Sequence, residues 1–231
     1  MQLQHATDLR TELVWPTLTK AVCPHTVVLA HLFSGCRQDG FFLKHAVQQG
    51  LSRGLEVRVL LIDLEPSNQY DMLDDKKFQQ IWEHVLLGSF AGVLLTPPSE
   101  TWTASSARIP TDIGNSPGSR VARHADAPWC IDGLTTAELP QVDMANALLF
   151  AALLLALACL SAGVRFVLEH ASVPNTPDLP SIWTTWPVQW LLRHPSVQQV
   201  LVHPSQHSAA HRLVGWMPRF QADMCSFAQS A

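Results

Sequence analysis

Three apolar runs, each closed by a turn residue or an acid and the first two followed by an amphipathic stretch, constrain this chain more than any other feature. Residues 26–34, TVVLAHLFS, form a β-branched run that stops at Gly35. Such a run reads as a buried parallel strand entering a turn. The segment FFLKHAVQQGLSR over 41–53 then sets Phe42, His45, Ala46 and Leu51 at roughly helical spacing. A second run, LEVRVLLIDL over 55–64, carries Asp63 at its end with Glu65 just beyond it. A helix is expected from about Asp75 to Leu87, with Phe78, Ile81, Trp82 and Val85 on one face, and a third strand, AGVLL, spans 91–95 before Thr96-Pro97-Pro98. This alternation implies βαβ crossovers, hence an α/β fold with a mostly parallel central sheet between two helical layers. Ligands in such sheets bind beyond the carboxyl ends of the strands. Gly35, Asp63 and residues 96–100 therefore fall along the expected rim.

The rest of the chain is less periodic. From Ser99 to Pro140 the pattern disappears among Pro110, Pro117, Pro128, Gly114, Gly118 and Gly133, which reads as a long loop or an insertion. Ala147 to Val164 then runs for 18 residues without a charge, the lower limit for spanning a bilayer. A buried core helix is the expectation and a single membrane span the alternative, because a helix apolar all round suits either setting. A strand VRFVLEH ending near His170, a turn rich in proline (Pro174, Pro177, Pro180), a short helix from near Pro187 and a fifth strand over 198–203 follow. The expected organisation is an N-terminal extension over 1–24, one α/β domain over 25–215 that carries the 99–140 insertion, and a tail over 216–231.

Composition sets the limits of function. Charged residues make up 15% of the 231, against about a quarter in an average soluble domain, so much of the chain must be buried. A net charge of −4 argues against a strongly basic surface that tracks phosphates, although local basic patches stay open. Cys23, Cys36, Cys130, Cys159 and Cys225 are odd in number and form no CxxC pair, which reads as free thiols in a reducing, intracellular setting, nuclear or cytoplasmic. Met1 to Lys20 has no long apolar region, so a secretory signal is not expected.

The order of the polar pieces carries more information than any one of them. LFSGCRQDG, LLIDLEP, YDMLDD, GVLLTPPSETWT and FVLEHA resemble, in sequence order, the motifs of the cytosine-C5 DNA methyltransferases, from Val27 to Ala171. The resemblance implies a Rossmann-like methyltransferase fold that uses S-adenosylmethionine. By that likeness Phe33, Ser34 and Gly35 line the methionine and adenosine moieties, Asp63 holds the ribose, Asp71 and Met72 sit near the adenine, and Pro97 belongs to the cofactor side of the nucleophile loop. Ser99 stands where the family has its attacking cysteine, and Glu169 matches the glutamate that contacts N3 of the target cytosine.

Departures from the family are as informative. A thiol with a pKa of about 8.5 can be activated to attack C6 of cytosine, whereas a serine hydroxyl is a far poorer soft nucleophile. Ser99 therefore implies weakened or absent DNA methylation activity. Arg37 replaces a cofactor-turn glycine, and His170-Ala171 replaces Asn-Val. No Gln-x-Arg-x-Arg stretch follows, and only 60 residues remain after Ala171, too few for a target-recognition domain. The alternative is a non-catalytic module of a larger mobile-element or multi-domain product that binds a nucleotide-like ligand or a partner.

Other constellations are weaker. Arg108, Arg120 and Arg123 fall where the family places a mobile loop that meets DNA, so they are candidates for phosphates of DNA or RNA, with simple solvation the commoner fate of such arginines. His203, His207 and His211 recur every four residues, but Pro204 and the strand-like VLV before them argue against a helical metal site. Trp183, Trp186 and Trp190 read as a packed core stripe rather than a stacking platform for bases. Ser99 lacks the GxSxG elbow of a hydrolase.

Overall fold

The computed structural model describes residues 26–33, 41–62, 73–99, 101–102, 108–109, 120–136, 138–172, 180–202 and 211–216. The chain divides into two compact units, Met1–Leu95 with Ala158–Arg165, and Thr96–Leu157 with Phe166–Ala231.

In the first unit, β1 (Thr26–Leu32) pairs in parallel with β2 (Glu56–Ile62) on one side and with β3 (Gly92–Leu95) on the other. Alternate residues of β1, among them Val28, Ala30 and Leu32, are buried, while the residues between them are half-buried. That pattern is what a strand covered on both faces gives. The crossover from β1 to β2 contains α1 (Phe41–Ser52), and that from β2 to β3 contains α2 (Asp75–Leu86). Asp74 starts α2 by accepting hydrogen bonds from the amides of Lys76 and Lys77 at 3.0 and 3.2 Å, the side-chain cap that satisfies orphan N–H groups. The same helix buries Ile81 and Val85 and ends at Gly88, whose φ of 66° lets its amide reach Val85 O and that of Ser89 reach His84 O. The β2 strand carries exposed charge: Arg58 Nε donates to Glu56 Oε1 at 2.7 Å, and the Thr26 hydroxyl donates to Glu56 Oε2 at 3.0 Å.

The second unit has a different grammar. β6 (Arg165–Ala171) pairs antiparallel with β8 (His211–Trp216), which in turn pairs antiparallel with β7 (Gln198–Val202). Gly215 of β8 lies opposite Val167, and a Cβ there would collide with the carbonyl of Phe166. Two short strands, β4 (Arg108–Ile109) and β5 (Arg120–Val121), form a separate antiparallel pair. A long helix, α3 (Leu139–Ala162), precedes β6, and a 3-10 turn (Ile182–Thr184) leads into α4 (Trp186–Leu192).

The fold is thus α/β, with six strands in one mixed sheet ordered β2-β1-β3-β6-β8-β7. From β1 to β3 the elements fall within two residues of their expected bounds. Three differences stand out further along. The 99–140 stretch is not wholly irregular, because it contains β4, β5 and the start of α3. That helix begins at Leu139 rather than Ala147, since Gln141, Asp143 and Asn146 extend it before the apolar run starts. The third difference is β8, a strand that the short run HRLVGW did not announce. α3 is long and apolar enough to cross a membrane by length and composition, and 56% of its most apolar window is buried inside the protein. Leu149, Ala152, Leu155 and Ala156 are buried, whereas Met144, Phe150 and Leu154 are exposed. Cys159 lies within it, and burial pushes its thiol up to about 12, which leaves it an inert apolar group.

Candidate functional site

Parallel pairing brings the carboxyl ends of the first three strands to one edge. Leu32 at the end of β1 stands in register with Ile62 at the end of β2 and with Leu95 at the end of β3. The chain leaves β1 through Phe33, which is buried and has a φ of 62°, in the left-handed region that a side chain with a Cβ rarely enters. Its amide donates to Ile62 O at 2.7 Å, so the ladder continues one residue past the strand before the backbone turns. Such a conformation costs on the order of 1 kcal/mol or more, and strained residues of this kind gather at ligand sites. Residue 63 follows Ile62 directly, but Asp63 itself, like Ser34, Gly35, Asp71 and Met72, lies outside the described residues.

The segment after β3 holds the other expected group. Pro97 is buried and Ser99 is exposed. The Trp102 amide donates to Ser99 O at 2.9 Å, closing a tight turn that presents the serine. Glu169 occupies a half-buried position on β6, opposite Leu213 of β8 and between the buried Leu168 and His170.

Behind the Ser99 turn the structure places a group that sequence reasoning misassigned. Arg123, a candidate for contact with nucleic-acid phosphates, is fully buried. Its Nε and Nη2 both donate to the Thr101 hydroxyl, at 3.1 and 3.0 Å. Nη2 also reaches Val142 O at 3.2 Å, while Nη1 reaches Pro128 O, Trp129 O and Asn146 Oδ1 at 2.6, 3.0 and 2.8 Å. The guanidinium carbon lies 3.8 Å from the centre of the Trp102 ring, a cation–π contact. Every donor is thereby engaged by a neutral acceptor inside the protein, and no carboxylate forms a salt bridge with it among the described residues. Burial holds the guanidinium below its ordinary value, at about 10, with Cys130 and Asp143 opposing the shift. It remains a cation at neutral pH, turned inward, and is not a surface contact for phosphate. Arg108 and Arg120 lie in β4 and β5, with Arg108 opposite Val121 and Ile109 opposite Arg120.

Aromatic rings extend this centre. Trp102 packs edge-on to Trp129 with centroids 5.7 Å apart, and Trp129 stacks on Phe150 of α3 at 5.1 Å. The indole N–H of Trp102 is buried and has no hydrogen-bond partner among the described residues. No periodic signal could have found this arrangement, because Arg123 draws on acceptors from three segments far apart in the chain.

The tryptophan stripe also needs correction. Trp183 is core, with its Nε1 donating to Ala171 O at 2.6 Å, His170 against its ring edge and the Arg212 guanidinium 5.4 Å from its centre. Trp186 and Trp190 are exposed, at 69% and 56%. The intervening Pro187 and Val188 take the buried positions instead, since α4 is too short to bury two faces. Of the three spaced histidines, His211 opens β8, where helical spacing does not apply, and His203 and His207 lie outside the described residues. Among the described residues no group of three or more His, Cys, Asp or Glu could hold a metal ion.

Neither a family model nor a curated protein nor a solved structure matches this chain.

Proposed function

We propose that the chain is a Rossmann-like, S-adenosylmethionine-binding protein of the methyltransferase type, similar to the cytosine-C5 DNA methyltransferases and weakened or inactive in methyl transfer. The observation that carries this reading is the register of β1, β2 and β3, whose carboxyl ends share one edge with the left-handed Phe33 closing the first of them. That edge is where a nucleoside cofactor binds in α/β sheets. The order of the motifs supplies the rest: a turn at Phe33, Ser34 and Gly35, an acid at Asp63 for a ribose, and Asp71 with Met72 for an adenine. When bound, the cofactor would supply an electrophilic methyl group.

On the substrate side, Ser99 takes the nucleophile's position and Glu169 the position that contacts N3 of a cytosine in DNA or RNA. Ser99 is exposed on its turn, as an attacking group must be, but its hydroxyl needs a strong base to become nucleophilic. This substitution favours a second reading, a non-catalytic module that keeps the nucleotide-like ligand and has lost the chemistry.

Titration calorimetry with S-adenosylmethionine tests the first reading: a folded protein that takes up no ligand at millimolar concentration removes the cofactor assignment. Methyl transfer to DNA and RNA by the natural chain beside Ser99→Cys separates the two readings. Transfer by the cysteine variant alone supports a degenerate enzyme, and transfer that survives Ser99→Ala overturns the role given to Ser99.

A further inference from the structure

We infer that Arg123 is the positioning residue of the Ser99 turn, holding the exposed serine through Thr101 and Trp102 rather than touching any ligand itself. The guanidinium fork engages both residues at the buried end of the turn. Thr101 and Trp102 are the two residues that follow the 99–100 step, and both are buried. The Thr101 hydroxyl receives two N–H groups of Arg123, and the Trp102 ring lies beneath the cation. The Trp102 amide then holds Ser99 O. Chain order therefore runs from Ser99 to a side chain and a ring that are both fixed by one guanidinium.

The other end of the fork is fixed as well. Val142 O and Asn146 Oδ1 belong to α3, and Pro128 O and Trp129 O belong to the loop before it. Asn146 strengthens this end by donating through Nδ2 to Trp129 O at 3.1 Å. A planar fork with five donors can satisfy acceptors on both sides at once, and a lysine ammonium with three donors on one atom cannot. Arg123 is in this sense a bracket between a regular helix and an exposed turn. The inference rests on the proposed function only in taking Ser99 as the position of an attacking group; the mechanical claim about the turn stands apart from it.

The test is amide hydrogen exchange on the full chain, resolved to the peptide covering residues 97–102. In Arg123→Ala, protection of the Trp102 amide is expected to fall by about tenfold or more while amides of β1 and β3 keep theirs, as a local opening requires. Millimolar methylguanidinium, which supplies the missing fork, is expected to restore that protection. Should Arg123→Ala fail to fold, Thr101→Val removes only the acceptor on the turn, and a smaller loss confined to 97–102 is expected. Unchanged protection at 97–102 in the variant that folds overturns the inference. So does an equal loss across β1, β3 and 97–102, and so does a local loss that methylguanidinium leaves untouched. Calorimetry with S-adenosylmethionine on the natural chain reads the functional assignment separately, so either idea can fail without the other.

Discussion

The two units of this protein are held together by different means. In the first, the buried side chains among the described residues are apolar, and order comes from ladders between β-branched strands and from a helix whose ends are capped. In the second, Thr101, Arg123, Glu138, His170, Ser181 and Thr185 are all buried, and all of them except His170, which lies within β6, hold a turn, a loop or a helix end. Glu138, for instance, accepts from both the amide and the hydroxyl of Thr135 just before α3. An apolar core tolerates small rearrangements, whereas a buried polar network fails as a unit when one member is removed.

That contrast can be broken by measurement. The largest expected effect is at Arg123. Replacing it by Met removes the donors and leaves buried acceptors unsatisfied, so a loss of about 4 kcal/mol is expected in the denaturant unfolding of the second unit, with β1 and β3 unaffected. A loss below that of the next variant would erase the distinction between the units. Ile62→Ala, at a fully buried position of β2, should lose about 3 kcal/mol from transfer and cavity terms. Asp74→Ala removes the cap of α2 and is expected to lose about 1 kcal/mol, with the loss visible as faster exchange at the Lys76 and Lys77 amides. Trp186→Ser should change stability by no more than about 0.5 kcal/mol because the ring is exposed, and a larger loss would restore the core-stripe reading of α4.

The smallest effect is a pH dependence inside the first unit. Burial holds His84 below its ordinary value of 6.5, against the opposing charge of Glu83. An unfolded chain therefore takes up the proton first as pH falls. The contribution of the neutral ring is full above about 6.5 and is lost as pH drops through that value toward the lower folded one. Unfolding midpoints of the natural chain should decline over that window, and His84→Gln should flatten the decline. Parallel curves for the two proteins would remove His84 as the cause.

Legibility follows the same division. In the first unit a strand or helix can be read from a dozen neighbouring residues, because burial repeats with the period of the element; Val28, Ala30 and Leu32, or Ile81 and Val85, announce themselves. Phe33 reads as part of the first apolar run, and its left-handed backbone is not legible, since nothing in its type favours that backbone. In the second unit the decisive partners are remote: Arg123 finds Thr101 22 residues away and Asn146 23 residues away. A window of sequence sees only a proline-rich stretch with scattered arginines there. The tryptophans failed for a related reason, because spacing shows which residues share a face and not whether anything lies against that face.

Gly215 bears on how the antiparallel part of the sheet finds its alignment. A strand can slide by one residue against its neighbour and still form hydrogen bonds, and only the side chains then object. Here the space opposite Phe166 and Val167 admits no Cβ, while the flanking residues of β8 are Val214 and Trp216. In the observed register a glycine stands where a Cβ would meet the backbone of β6. The missing methyl group is thus what lets β8 close on the backbone of β6 at Phe166 and Val167 in this alignment.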